Sequence, residues 1–216
     1  VKWRRLAWVC LVALLGSPLA DARLIRTQPR FVLLHVPLWL ALGYVAGRHL
    51  RAVRRPRAEP WNPLGLTGLV FFVGTLAFWM IPRSVDSAVL SRGVDQLLHA
   101  SLLAAGFTLA WSMPIMPFVV RAALGIYGAS MVLSLGALYT SYSALLCGTF
   151  TLAEQRQTGK WLTLAFPFIV VALLALGVRA LARERALGAE RDLPSSLLSG
   201  PRPGRRRTGG SPGPAA

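Results

Sequence analysis

Two hundred and sixteen residues would suffice for one soluble domain, but 54% apolar against 15% charged residues and a mean hydropathy of +0.52 lie outside soluble averages. Lys and Arg number 24 against 8 acids, a net charge of +16; the positive residues cluster between long apolar runs and form no stripe, which argues against nucleic acid as a partner. Two cysteines, Cys10 and Cys147, exclude a disulfide framework and a paired-Cys zinc pattern.

At the N-terminus Lys2, Arg4 and Arg5 precede a short apolar run, Leu6 to Leu15, and then Gly16, Ser17, Pro18 and Ala20-Asp21-Ala22. Residues 1–22 therefore read either as a cleavable signal peptide or as a first, slightly short span. Five apolar stretches follow: Phe31 to Gly47, Pro63 to Ile81, Leu97 to about Met113, Ala122 to Leu146, and Trp161 to Val178. Each is long enough, at roughly 17 to 25 residues, to cross a ~30 Å hydrocarbon layer as a helix. None alternates as a barrel strand would. The predicted fold is all-α, a polytopic transmembrane helix bundle with five or six spans across residues 23–193. From Pro194 onward Gly, Pro and Ser surround Arg205-Arg206-Arg207. Too few large apolar residues remain there to offset the entropy of ordering, so residues 194–216 are expected to be a disordered basic cytoplasmic tail.

Basic residues near spans are retained on the cytoplasmic side. With the N-terminus inside, the inner segments hold Lys2, Arg4, Arg5, Arg48, Arg51, Arg54, Arg55, Arg57, Arg121, Arg179, Arg183, Arg185 and Arg191. The outer segments hold Arg23, Arg26, Arg30, Arg83, Arg92, Arg156 and Lys160. The asymmetry predicts an inner (plasma) membrane protein whose C-terminus is cytoplasmic and whose first partner is the lipid bilayer.

That orientation turns sequence positions into depths. His35 falls about one turn from the outer end of its helix, Asp86 and Asp95 fall in the next outer loop, and His99 starts the helix that follows. Four potential metal ligands are thus expected near the outer leaflet. Asp95 and His99, spaced i, i+4, share a helix face, either as a ligand pair or as a carboxylate that orients an imidazole. Ionisable residues inside a membrane are costly enough to suggest function, although helix-to-helix hydrogen bonding by His35 and His99 explains them equally. His49, among cytoplasmic arginines, reads as solvated.

Met113-Pro114-Ile115-Met116 is a soft thioether pair, but fourteen residues separate His99 from Met113, ~21 Å along a helix. Apolar filling beside a proline-broken helix end suits these methionines better; Met80 is better placed to join the histidines. Trp61, Trp79, Trp111 and Trp161 fall at span ends and read as an interfacial belt. Ala100 with Ala104, and Gly125 with Ala129, offer small faces for close helix approach. Cys147 reads as a thiolate ligand, a redox thiol or an inert apolar residue. No phosphate-binding glycine loop, HExxH or serine elbow occurs, so the chain is not expected to be an enzyme.

The order Phe78-Trp79-Met80-Ile81-Pro82, then Asp86, Ala88, Asp95, His99 and Gly106, resembles the CtaG-like family of cytochrome c oxidase assembly proteins. Tyr139, Tyr142 and the segment Leu152-Ala153-Glu154-Gln155-Arg156-Gln157-Thr158-Gly159 look like that family's stretch before its last span. The resemblance covers roughly residues 31 to 180. It implies a multispan membrane factor that helps mature the copper-containing part of a haem-copper oxidase, with cytochrome c oxidase subunits as partners. Copper is the implied metal, carried by His35, Asp86, Asp95 and His99. The residues alone also admit a b-type haem electron carrier, with one histidine on each face of the iron, or a structural subunit whose polar residues only join helices.

Overall fold

The computed structural model describes residues 26–54 and 62–191, without the side chains of 52–54 and 183–191. The expected leader or first span at 1–22, Cys10, Trp61 and the expected tail at 194–216 lie outside the described residues. Among the described residues six α-helices of more than one turn are present: α1 (Val36–Arg54), α2 (Leu66–Trp79), α3 (Pro82–Leu90), α4 (Arg92–Ser112), α5 (Phe118–Ser141) and α6 (Leu152–Arg191). No strand occurs among the described residues, in keeping with the all-α expectation.

Among the described residues three helical segments are long and apolar enough to cross a membrane: Gln28–Arg51, Phe118–Ser141 and Leu152–Ala182. A fourth arises if Pro63–Trp79 and Pro82–Leu90, bent by 76°, count as one broken span. The sequence predicts five or six. The difference is α4, which opens with Arg92, Asp95, Gln96 and His99 and so lacks a sufficiently apolar window, and the expected first span at 1–22, which lies outside the described residues. Helix α4 lies against α1, α2 and α3, burying Leu98, Leu102, Ala105 and Ala110 while Arg92, Gln96, Leu97 and Ala100 stay exposed.

Glycines set the contact between α1 and α4. A Cβ on Gly43 would collide with the Leu103 carbonyl oxygen, one on Gly106 would run into the Leu40 carbonyl, and one on Gly47 would come 2.7 Å from the Phe107 carbonyl. Backbone thus meets backbone, the arrangement that small residues permit between membrane helices. The face lies at Gly43-x-x-x-Gly47 and Gly106; Ala100 is exposed.

Buried polar pairs hold α2 to α4 at both ends. Asn62 donates from Nδ2 to Ser112 Oγ at 2.9 Å, while its Oδ1 accepts from the Gly68 N–H at 3.4 Å. At the other end Trp79 Nε1–H donates to Ser101 Oγ at 2.8 Å, and Ser101 donates onward to the Leu98 carbonyl at 2.9 Å. Trp79 is therefore a core residue, only 4% exposed, and not part of the interfacial belt the sequence suggests; Trp161, 51% exposed, fits a belt.

Helices α5 and α6 meet where Gly136 lies under Thr163 and Gly159 lies under Thr140. Thr151 and Glu154 form a reciprocal cap at the start of α6: the Thr151 N–H donates to Glu154 Oε2 at 3.1 Å, and the Glu154 N–H donates to Thr151 Oγ1 at 3.3 Å. The loop before it is held by the buried Gln155, whose Oε1 accepts from the Leu146 N–H at 2.9 Å and whose Nε2 donates to the Ala144 carbonyl at 3.3 Å. Most other side chains on these two helices stay uncovered, Val119, Ile126, Phe168 and Val171 among them. Such apolar faces fit a lipid bilayer. Of the described residues, those up to Leu173 form one compact unit and those from Leu174 a second, in which Leu174, Leu176 and Val178 are exposed; every site below lies in the first.

Candidate metal centre and its adjoining loop

A π-helical turn, Phe31–His35, precedes α1, with the Val36 N–H donating to the Phe31 carbonyl. Pro37 explains the wider turn, since it has no N–H to donate to the carbonyl four residues back. Single π turns within helices recur at functional sites. Here the turn places His35 in the core with 0% exposure.

Around His35 the aromatic rings form a chain. Phe31 stacks on it at 5.4 Å between centroids, Trp39 lies at 6.3 Å, and His99 of α4 lies at 4.8 Å. Trp39 also covers the His99 ring at 4.4 Å. The glycine contact between α1 and α4 brings the two imidazoles together, because only close backbones let two short side chains touch across the crossing. His99 Nδ1 lies 3.6 Å from Asp95 Oδ2 one turn earlier, the i, i+4 geometry read from the sequence. Asp95 belongs to α4 itself, not to a preceding loop.

Asp86 is engaged elsewhere. On α3, its carboxylate accepts from the Gly148 N–H at 3.0 Å, the Thr149 N–H at 3.2 Å and the Thr149 hydroxyl at 2.7 Å. Partial burial acts to raise its pKa, but the hydrogen bonds from the Thr149 side chain and from the Gly148 and Thr149 backbones prevail and hold it below the ordinary 3.8. Asp86 clamps the loop between α5 and α6 onto α3. That loop carries Cys147 and Phe150, both buried, and Phe150 packs on Phe31 at 6.4 Å. A single ring, Phe31, thus stands between the loop and His35.

Beneath the loop lies a cavity of about 20 Å³, bounded by Gln28, Phe31, Trp79, Met80, Tyr139 and Cys147 among others. Sequence reading puts Cys147 at a helix end; α5 stops at Ser141, and Cys147 sits in the loop. Burial, and then the charge of Asp86, push its thiol up to about 11. Met80 borders this cavity. Met116 is buried beyond the far end of α4.

Among the described residues, no group of three or more His, Cys, Asp or Glu is clustered as a metal site. The structure brings together His35, His99 and Asp95, and directs Asp86 to the loop. His49 is exposed on α1. Sequence reasoning missed Trp39, Phe31 and Gln28; the i, i+4 series Phe31, His35, Trp39 was the available signal. The chain matches no known protein family, no curated protein and no solved structure.

Proposed function

We propose that this chain is an integral membrane factor that binds copper at the His35–His99 pair and serves the assembly of cytochrome c oxidase, as the CtaG-like resemblance implies. The observation that carries the reading is the 4.8 Å contact of two imidazoles from separate helices within an apolar core. The donor chemistry fits, since imidazole nitrogen suits copper. Asp95, beside His99 Nδ1, would fix the tautomer and raise the basicity of the other ring nitrogen. The site is then two imidazoles supported by one carboxylate, with Asp86 a structural clamp. The role is carriage, not catalysis.

A b-type haem needs a slot for its macrocycle between the two imidazoles. The rings in direct contact, with Trp39 covering His99, favour copper over that alternative. By the arginine distribution, the reading places the pair towards the outer face of the inner (plasma) membrane, the C-terminus in the cytoplasm, and oxidase subunits among the partners. Ser87, exposed on α3, tests the orientation: Ser87→Cys should label with an impermeant thiol reagent in intact cells.

Copper stoichiometry and affinity of the detergent-purified protein test the site. His35→Ala and His99→Ala should each abolish most binding, Asp95→Asn should weaken it ~10- to 100-fold, and His49→Ala and Met113→Leu should leave it intact. Unchanged binding in both histidine variants would overturn the site. A Soret band in place of copper would move the reading to haem, and neither copper nor haem would leave a structural subunit.

A further inference from the structure

We propose that the end of the bundle carrying the Asp86-clamped loop is a binding surface for the headgroups of anionic phospholipids, with α3 lying across it in the headgroup layer. Four helices meet at this end. Asp86 of α3 holds Gly148 and Thr149 of the loop, and Phe150 of the same loop packs on Phe31, just before α1. The loop leads into α6 at Leu152, and α3 leads into α4 across Ser91. The exposed cations of these segments, Arg26, Arg83, Arg92, Arg156 and Lys160, therefore share one end of the molecule.

The carboxylates of the same end are turned inward. Asp86 accepts three hydrogen bonds from the loop, Glu154 accepts from the Thr151 N–H in the cap of α6, and Asp95 lies 3.6 Å from His99. Among the described residues up to Leu173 these are the only acidic side chains. The rim is thus basic, with its acids committed to the loop and the core. Cytoplasmic retention of Lys and Arg does not account for cations that the sequence puts on the opposite side, whereas an anionic headgroup partner does.

Apolar side chains decide between lipid and an acidic protein. Ile81, Leu97, Leu145 and Trp161 are exposed among the cations, and Leu90 is 78% exposed. A headgroup layer accepts both kinds at once: apolar side chains reach the upper acyl chains while Lys and Arg extend to the phosphates. Helices α2 and α3 are bent by 76°, so where α2 crosses the bilayer α3 runs close to its plane. Val85 and Ala88 of α3 are buried, and Arg83, Ser87 and Leu90 are exposed. The inference goes beyond the copper reading and does not rest on it, nor on which side of the membrane this end faces.

The test places a bimane fluorophore at Ser87→Cys of the full chain, in a Cys10→Ala/Cys147→Ala background, reconstituted in phosphatidylcholine vesicles. Quenching by a small mole fraction of phosphatidylglycerol or phosphatidylcholine, each with a nitroxide near the top of one acyl chain, reports which lipid collects around α3. Phosphatidylglycerol should be preferred by about 5-fold or more, the gain from one basic residue at an anionic surface. The preference should shrink at about 1 M salt, where the screening length falls to about 3 Å. Arg83→Gln/Arg92→Gln/Arg156→Gln/Lys160→Gln should abolish it. Arg83→Lys/Arg92→Lys/Arg156→Lys, which keeps the charge, and Arg48→Gln/Arg121→Gln, at the other end of the bundle, should retain it. Equal quenching by the two lipids in the parent would overturn the proposal and leave the cations to an acidic protein. So would a preference that survives the four glutamine substitutions, or one lost equally in the lysine or the Arg48/Arg121 variant.

Discussion

Gly106 of α4 faces the Leu40 carbonyl of α1 so closely that no side chain fits between them. This crossing sets the distance between α1 and α4, and with it the contact of His35 and His99. Gly106→Ala should force the helices apart and destabilise the protein by ~1–3 kcal/mol, the usual effect of overpacking. Gly128, where a Cβ meets nothing within 4 Å, is the control: Gly128→Ala should be neutral or stabilising, by up to ~1 kcal/mol from helix propensity. Thermal unfolding in detergent checks both. If Gly106→Ala matched the parent, the close crossing would not be formed.

Asp86→Asn should loosen the loop over Cys147. An amide can accept fewer hydrogen bonds than a carboxylate and brings an N–H towards the donors of Gly148 and Thr149. Reaction of Cys147 with a maleimide, in a Cys10→Ala background, measures the opening. The parent should react slowly at neutral pH, because its thiol is buried and its pKa is pushed up to about 11. Asp86→Asn should react faster. The pH dependence follows from the depressed pKa of Asp86: the clamp's contribution is present above the unfolded carboxyl value and is lost as pH falls through the lower folded one. Equal labelling of parent and variant would remove Asp86 as the clamp.

Composition and run length identified the all-α class, because lipid requires every spanning backbone to satisfy its own hydrogen bonds. The i, i+4 relation of Asp95 and His99 was equally legible, being a property of one helix. Placement across helices was not. Trp79 sits at a span end in the sequence, where a belt residue and a buried donor look alike; only the position of Ser101 on α4 decides between them. Asp86 looks like a ligand in a one-dimensional reading because it precedes Asp95 and His99. Its partners, Gly148 and Thr149, lie some sixty residues later, and nothing local announces them. The same holds for α4, where packing against α1, α2 and α3 buries Leu98, Leu102 and Ala105 but leaves Arg92 and Gln96 of its polar opening exposed.

Trp79→Phe keeps the ring and removes the indole N–H. Ser101 retains its own bond to the Leu98 carbonyl, so the loss should be near ~1 kcal/mol, the net value of one hydrogen bond. Trp79→Ala should cost about 3–5 kcal/mol, the range for emptying a large aromatic site in a core. A belt tryptophan would lose much less, so similar, small effects of both substitutions in thermal unfolding would return Trp79 to the interface.

Gln155 gives the sharpest test of how the loop before α6 is held. Its side chain is 1% exposed and serves the loop with both ends, accepting from the Leu146 N–H and donating to the Ala144 carbonyl. Gln155→Ala leaves two backbone groups without that partner and should destabilise the protein by ~1–3 kcal/mol for each group that water cannot reach. Gln155→Glu separates the two bonds. A carboxylate still accepts from Leu146, but it points a negative oxygen at the Ala144 carbonyl in a buried place, so the folded state favours the protonated acid and the pKa of the new group is raised. A raised carboxyl pKa means that the folded state takes up a proton before the unfolded one does, so stability relative to the parent should recover as pH falls from neutral through the folded pKa. The protonated acid then donates to Ala144 as the amide did. Melting temperatures of parent and variant, taken across pH at constant salt, provide the measurement. A gap independent of pH would show that the side chain at 155 does not face the Ala144 carbonyl.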